Sequence, residues 1–280
     1  MTAAAGPAGR TEPAEPLRLA CIDSDAPPLF GLRDPATGRR EGFEPAVAEL
    51  VAAELGRRLE WVVVPWADLL PVVQAGGADA VLCGQGMTPL RAAQVDFTRP
   101  YAVFHESVLV RRGDPIASPE DLRGRRVAAI AASTNMALAE TFDGAEPVAF
   151  GGDSDDVYAD MLAALAAEEV DAVVDDDVVF VPLGDSDPRF EVAFTVRTGN
   201  RWGIGVSKER TDLREAIDRA LGRVIADGRH RAAWEQWLPT LDYPFTEAVH
   251  EGPESAEAGV CAEGGAGAGA AAGAAGIEAR

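Results

Sequence analysis

Short apolar segments rich in β-branched residues alternate with helical segments along the first hundred residues, and this alternation most constrains the fold. Strands are predicted at residues 17–22, 59–64 and 78–83. Helices are predicted between them, at residues 44–55 and 68–75, each followed by glycine. A repeat of strand and helix of this kind predicts an α/β fold with a largely parallel sheet.

The same alternation restarts after the turn at Gly113 and predicts a second α/β unit. A long strand is predicted before this turn, at residues 104–111. The strands predicted after it are 126–131, 171–174 and 190–196, and the predicted helices are 118–124, 136–142 and 155–168. A further strand is predicted at 201–206. The last predicted helix, residues 211–237, breaks near Gly228.

The formal net charge of −21, with Lys208 as the only lysine, excludes whole classes of partner. Such an acidic surface repels nucleic acids and anionic membranes, so neither is an expected partner. The three cysteines, Cys21, Cys83 and Cys261, have no metal-ligand spacing, and the three histidines have no zinc spacing. We therefore expect buried thiols at Cys21 and Cys83 and no metal or other cofactor.

The two ends of the chain differ in composition from the rest. Residues 1–16 are rich in Ala, Pro, Gly and Glu, and residues 248–280 are mainly Gly, Ala and Glu, so both are predicted to be disordered. No segment approaches the roughly twenty apolar residues of a membrane span. The N-terminal segment has no continuous apolar region of the kind found in signal peptides, so the sequence alone is compatible with a cytoplasmic protein.

The stretch from residue 78 to residue 101 predicts an anion-binding turn. Gly84 and Gly86 follow a predicted strand, and Thr88 with Pro89 is typical of the start of a short helix, here through residue 94. Backbone N–H groups and the helix dipole favour negative charge at such a place. Arg91, in the first turn, can bind a carboxylate through its planar guanidinium. The turn is therefore predicted to hold the carboxylate of a small molecule.

Two other interpretations of this stretch stay open. Gly84 to Thr88 resembles the start of a dinucleotide-binding fingerprint, although the third glycine is missing. Arg91 is also compatible with an ordinary surface salt bridge. Its position favours a ligand site, because ligands of parallel sheets bind outside the carboxyl ends of the strands. The residues at or just after such an end are Asp23, Trp66, Gly84, Gly86 and Arg91.

The order of motifs along residues 17–238 resembles the polar amino-acid class (family 3) of bacterial solute-binding proteins, the substrate-binding subunits of ABC importers. The motifs include Gly42-Phe43-Glu44, Pro65-Trp66, Thr88-Pro89-Leu90-Arg91, Val95-Asp96-Phe97 and Trp202-Gly203-Ile204-Gly205. The resemblance implies a two-lobed clamshell like the type II periplasmic binding proteins, each lobe a mostly parallel sheet flanked by helices. Lobe one would comprise residues 17–110 and 199–247, and lobe two residues 111–198, with crossings near residues 108–112 and 194–198.

The resemblance also implies which residues contact the ligand between the lobes. One group binds its α-carboxylate, one acid binds its α-amino group, and two residues contact its side chain. The carboxylate group comprises Arg91 and the backbone N–H groups of Gly84, Gly86 and Thr134; Asp176 is the acid, Asp23 reaches the side chain and Trp66 stacks on it.

Three positions differ from the usual pattern of that family. Gly86 lacks a hydroxyl group for the carboxylate, Ala26 lacks a second stacking ring, and residues 133–135 replace a turn that contains glycine. The acids at positions 23, 25 and 175–177 favour a cationic ligand. The predicted ligand is therefore an amino-acid-like solute that is zwitterionic or cationic.

By resemblance, the chain is a monomer in the periplasm or cell envelope that delivers this solute to an ABC transporter permease. A cytoplasmic ligand sensor, or a remnant without function, is an alternative that would explain the missing signal peptide. An enzyme similar to cyclohexadienyl dehydratases is a further alternative. Residues 175–182 lack the glutamate that such relatives use, which disfavours the enzyme.

Overall fold

The strands of the protein form a single eight-stranded sheet in the computed structural model, which describes residues 15–151, 154 and 156–245. The strands are β1 (Leu17–Cys21), β2 (Leu59–Val63), β3 (Ala80–Val81), β4 (Val95–Arg111), β5 (Arg126–Ile130), β6 (Glu146–Phe150), β7 (Ala172–Asp176) and β8 (Phe190–Ser207). The helices are α1 (Phe43–Glu54), α2 (Leu69–Gln74), α3 (Pro89–Ala92), α4 (Thr134–Ala139), α5 (Val157–Ala166), α6 (Asp177–Ser186), α7 (Thr211–Ala226) and α8 (Arg229–Trp237). Nearly all of the two termini predicted to be disordered, together with Cys261, lie outside the described residues.

Two groups of parallel strands are joined by one long antiparallel pair. The sheet order is β2-β1-β3-β8-β4-β7-β5-β6. β1 pairs in parallel with β2 and β3, and β5 pairs in parallel with β6 and β7. Between the groups β4 and β8 run antiparallel, with β8 beside β3 and β4 beside β7. The predicted α/β class, with helices flanking mostly parallel strands, is confirmed.

The β4–β8 pair carries the chain from one group of strands to the other. Among the described strands, β4 pairs with β8 alone up to Phe104 and gains β7 as a second neighbour from Glu106 onward. One of the register shifts in the pair lies between Phe104 and Glu106, where an irregularity of this kind bends a strand. The predicted lobe boundaries near residues 110 and 198 lie within these two strands and stay predictions.

Several elements differ from their predicted bounds, for local reasons. β4 begins at Val95 rather than residue 104, because the polar residues and Pro100 in its first half mask the strand pattern. α6 contains Pro182 and Gly184, which normally interrupt a helix, so no helix was predicted there. β6 was not predicted either, since it is a short edge strand that contains Pro147. β3 has two residues instead of six, because the chain turns towards Gly84 directly after it.

A cluster of buried aromatic rings lies beneath the turn that contains Gly84. The Phe104 ring packs edge-on against Trp202, with ring centroids 4.7 Å apart, and stacks on Trp234 at 5.4 Å. Phe43 of α1 packs edge-on against Trp234 at 5.2 Å. Such geometries add to the stabilisation from buried area. The cluster therefore gives the turn a rigid support.

Candidate functional site

Loops from both groups of strands meet at a small cavity of about 20 Å³. The loops that follow β1, β3 and β5 and the end of β7 supply its walls. The predicted site residues that line it are Trp66, Gly84, Thr134 and Asp176, joined by Leu29, Phe30, Asn135, Tyr158, Asp175 and Trp202 among others. This volume holds about one water molecule. A guest the size of an amino acid therefore requires the walls to move apart.

Arg91 is a buried cation beside this cavity. The Thr88 hydroxyl accepts a hydrogen bond from the Arg91 backbone N–H at 3.2 Å and caps α3, as predicted. The guanidinium donates to the carbonyls of Gly86 and Ala132, each at 3.3 Å, and its carbon lies 5.4 Å from the centroid of the Trp66 ring. Arg91 is 7% exposed. It therefore spans the turn after β3 and the loop after β5.

The Arg91 guanidinium has no acidic partner at ion-pair distance within the described part of the chain. Burial lowers its pKa, and the charge of Asp176 opposes that shift. Its two hydrogen bonds are long and use part of the five N–H donors of a guanidinium. A buried cation with neutral partners alone is costly, because its lost hydration is not replaced by an opposite charge. The arrangement fits an anionic guest.

Two buried carboxyl groups, Asp175 and Asp176 at the end of β7, form the acidic side of the cavity. The Asp175 Oδ1 atom accepts hydrogen bonds from the Tyr158 hydroxyl at 3.1 Å and from the Asp176 N–H at 2.8 Å. Asp175 Oδ2 and Asp176 Oδ1 are buried and have no partner among the described residues. Burial raises the pKa of Asp175 to about 6, and burial followed by the charge of Asp175 raises the pKa of Asp176. A cationic group would satisfy these oxygens and favour their ionised forms.

A polar network on the two long strands links Glu106 of β4 to α4. Asn200 donates through Nδ2 to the Thr134 hydroxyl at 3.1 Å and, more weakly, to Glu106 Oε1 at 3.5 Å. The Thr198 hydroxyl donates to the other carboxylate oxygen of Glu106, which is 2% exposed. The sequence interpretation did not include Glu106 or Asn200. A charged residue inside an apolar predicted strand is the signal that points to Glu106.

Gly84 and Gly86, whose N–H groups were predicted to bind a carboxylate, both donate within the protein in this structure. The Gly84 N–H donates to Glu44 at 2.7 Å, and the Gly86 N–H donates to the Gly84 carbonyl at 3.1 Å. A side chain at Gly86 would place its Cβ 2.7 Å from Asn200 Oδ1, so close packing explains this glycine. The predicted ligand contact of these two N–H groups stays a prediction that requires the turn to change its hydrogen bonds.

Asp23 lies outside the cavity lining, whereas two residues that were not predicted shape its walls. The Asp23 carboxylate accepts the backbone N–H of Arg33 at 2.9 Å and so closes a local loop. Arg40 is 5% exposed and donates to the carbonyls of Ile22 at 2.6 Å and Gly31 at 2.9 Å. Arg40 therefore holds the loop that carries the apolar wall residues, and Tyr158 of α5 closes the opposite side.

Glu44 anchors the Gly84 turn to α1, and its removal is expected to destabilise the protein. Its Oε1 atom accepts the Gly84 N–H and the Tyr101 hydroxyl, and burial raises the pKa of this carboxyl to about 7. Glu44→Ala leaves two buried donors without an acceptor, which is expected to lower the free energy of unfolding by about 2 to 4 kcal/mol. Urea unfolding measures this. Glu44→Gln keeps the accepting oxygen and should retain most of the stability; equal losses in the two variants would contradict the role.

Known proteins resemble this chain in both sequence and fold. The family model described as bacterial extracellular solute-binding proteins, family 3, matches residues 19–240. The glutamine-binding protein of a Bacillus subtilis ABC transporter is 27% identical over 215 residues, which cover 75% of this chain and 77% of the relative. An ancestral arginine-binding protein bound to arginine superposes with a TM-score of 0.71 at 28% identity, covering 79% of this chain and 97% of that one. An ancestral amino-acid-binding protein described as a precursor of cyclohexadienyl dehydratase gives a TM-score of 0.69 at 26% identity, covering 79% and 94%.

The chain belongs to family 3 of the bacterial extracellular solute-binding proteins. The two groups of strands with their helices are the two lobes of that fold, joined by the β4–β8 pair, and the cavity lies between them. Proteins of this family bind small solutes, and the relatives named above bind amino acids. In the described residues, no helix has the length and apolar character that crossing a membrane requires.

Proposed function

We propose that the protein binds an α-amino-acid-like solute between its lobes, with the α-carboxylate on Arg91 and the α-amino group on Asp176. Two observations carry this proposal: the buried Arg91 guanidinium has no acidic partner in the described chain, and a buried Asp176 oxygen, whose charge acts on that guanidinium, also lacks a partner. A zwitterion carries the two charges that would satisfy both groups. Trp66, under the guanidinium, and Thr134, in the opposite wall, would complete the binding surface.

Binding of such a solute requires the lobes to move apart and then to close on it. The cavity of about 20 Å³ is far smaller than an amino acid, so the solute enters an open form and the lobes close on it. Closure needs a ligand that binds the closed form better than the open one, and groups from both lobes that contact one molecule provide that difference. Arg91 on one lobe and Asp176 on the other have this arrangement.

The proposed role of this binding is delivery of the solute to the permease of an ABC transporter at the cell envelope, by a monomer. The name of the Bacillus subtilis relative, a glutamine-binding protein of an ABC transporter, supports a role with such a transporter, and the family description supports an extracellular position. The acids at positions 175–177 favour a zwitterionic or cationic solute over an anionic one. A catalytic role has less support: the relatives are binding proteins, and the neighbour linked to a dehydratase is itself described as an amino-acid-binding protein.

A thermal-shift screen of the purified protein against the twenty amino acids, polyamines and dicarboxylates tests the proposal. A ligand that binds the folded protein alone stabilises it by RT ln(1 + [L]/Kd), about 2.7 kcal/mol at a hundredfold excess over Kd. For a chain of this size we expect a rise in Tm of roughly 5 to 10 °C with at least one α-amino acid. The same compound without its α-carboxylate should give no shift. A screen in which no α-amino acid raises the Tm would contradict the proposal.

A further inference from the structure

A second cavity, of about 410 Å³, lies directly beside the small one. Its walls come from the loop at residues 25–28, from α5 and α6, and from the segment that follows α8. Its volume falls in the range of small-molecule sites, about 300 to 1,000 Å³. The cavity is therefore large enough for a guest that the first cavity does not accommodate.

The walls of the second cavity are almost entirely apolar. Leu162, Leu183, Trp237 and Leu241 are each only half-buried and converge on it, above the fully buried Val179. Among the described residues that line it, the one charged side chain is Asp25, and no basic side chain is present. Half-buried apolar surface of this extent favours an apolar guest, because covering it removes that surface from water.

The two cavities share one lining residue among the described residues. Tyr158, near the start of α5, lines both of them, and its hydroxyl donates to Asp175. The walls continue from one cavity to the other on two further paths. Asp176 lines the small cavity, and Val178, two residues further along the chain, lines the large one. Leu29 likewise lines the small cavity, and its neighbour Pro28 lines the large one. The two cavities therefore share a wall at Tyr158, and a long side chain held between Arg91 and Asp176 would have to displace this ring to enter the apolar cavity.

We propose that the apolar cavity receives the side chain of the solute, which makes the preferred ligand an α-amino acid with a long apolar side chain. The proposal rests on the proposed function, since the charged end of the same molecule occupies the Arg91 and Asp176 site. The charged groups alone do not select among the side chains of α-amino acids, whereas the apolar cavity would select long apolar ones. The volume of the large cavity, its apolar walls and the Tyr158 wall that it shares with the small cavity support this class.

Affinities of a homologous series test the assignment. Isothermal titration calorimetry of the full chain would use straight-chain L-α-amino acids from alanine through norvaline and norleucine to 2-aminooctanoate and 2-aminodecanoate. Each methylene that enters the apolar cavity should tighten binding about fourfold, the equivalent of about 0.8 kcal/mol per buried CH₂ group. If the short members bind but the affinity stays constant or falls as the side chain lengthens, this proposal is wrong. The proposed function would then remain intact. If no member binds although another α-amino acid raises the Tm in the screen, this inference fails and the proposed function stands. If no α-amino acid binds at all, both fail.

Variants of one wall residue make the test specific to the cavity. Leu162→Glu places a charge in the apolar wall and Leu162→Trp fills part of the volume, so both should reduce the ratio of the 2-aminooctanoate affinity to the alanine affinity by about tenfold or more. Leu32→Glu is the control, because Leu32 is 53% exposed and lines neither cavity. An unchanged ratio in both Leu162 variants, with a folded circular dichroism spectrum, would overturn the proposal. A dimer in light scattering that Leu162→Glu dissociates would assign the cavity to a second copy of the chain instead.

Discussion

Arg91→Ala is expected to reduce the affinity for the α-amino acid identified in the screen by about 100-fold or more. Breaking a buried pair of opposite charges costs about 3 to 5 kcal/mol when one partner is removed, because the other charge is left buried without compensation. In the proposed complex that other charge would be the α-carboxylate of the ligand. Isothermal titration calorimetry of the variant and the wild-type protein measures the ratio of the dissociation constants.

The stability of the Arg91 variant separates a binding role from a structural one. In the free protein Arg91 is buried and lacks an acidic partner among the described residues, so its removal should leave the Tm unchanged or slightly higher. Arg91→Lys keeps the charge but loses the planar pair of donors, so an intermediate affinity is expected. Arg99→Ala is the matched control, since Arg99 pairs with Asp218 at the surface. Wild-type affinity in Arg91→Ala would refute the carboxylate assignment.

The sequence predicts the class of the fold and the side of the sheet on which the site lies, and both rest on local patterns. Alternating apolar segments and helical spacing are short-range properties, so β1, α1 and β5 agree with their predicted positions to within one or two residues at each end. The cap at Thr88 is also local and is confirmed. Because strands of a parallel sheet end at a common edge, the residues that follow them are brought near one another.

The hydrogen-bond partners of the site residues could not be predicted from the sequence, because they depend on contacts between distant segments. Whether the Gly84 N–H is free depends on Glu44, forty positions away, and whether Gly86 has room for a side chain depends on Asn200. Asp23 has the right residue type at the right strand end, yet a local hydrogen bond to Arg33 engages it. Residue type therefore predicts what a group can bind, and only the fold shows what it already binds.

Arg91 and Asp176, the two charged groups of the proposed site, are each expected to carry a desolvation cost in the free protein that a zwitterionic ligand would remove. A buried guanidinium without an acid and a buried acid without a base each lose hydration that the described protein does not replace. Direct pairing of the two would remove the cost, but Arg91 and Asp176 belong to different lobes and form no ion pair at 4.0 Å or less. Stability and binding should therefore change in opposite directions when either charge is removed.

Asp176→Asn is expected to show this opposition. The substitution preserves the shape of the side chain and removes a charge that is buried beside Asp175, so the Tm of the free protein should rise by about 3 °C or more at pH 7. The affinity for the α-amino acid should fall by about tenfold or more, because an amide does not balance an ammonium group. Calorimetry of unfolding and of binding measures both changes. A fall in both Tm and affinity would point to a structural role for Asp176 instead.

The pH dependence of the gain in Tm in Asp176→Asn tests whether removal of the buried charge is its cause. The pKa of Asp176 is raised in the folded protein, so between its ordinary value near 4 and the raised value the folded state holds more protons than the unfolded chain. Stability therefore decreases as the pH rises through this interval, and Asp175, with its pKa of about 6, adds to the same slope. The gain in Tm from Asp176→Asn should therefore be larger at pH 8 than at pH 4 and should disappear only about one to two pH units below the ordinary Asp pKa, where the carboxyl is neutral in both states. Asp218→Asn is the control, because the opposite change in stability is expected there. Burial raises the pKa of Asp218, but hydrogen bonds from Arg99 outweigh burial and lower it. The ionised carboxylate therefore stabilises the fold, and this variant should lose stability at neutral pH. A gain in Asp176→Asn that is the same at pH 4 and pH 8 would show that packing, and not the buried charge, is its source.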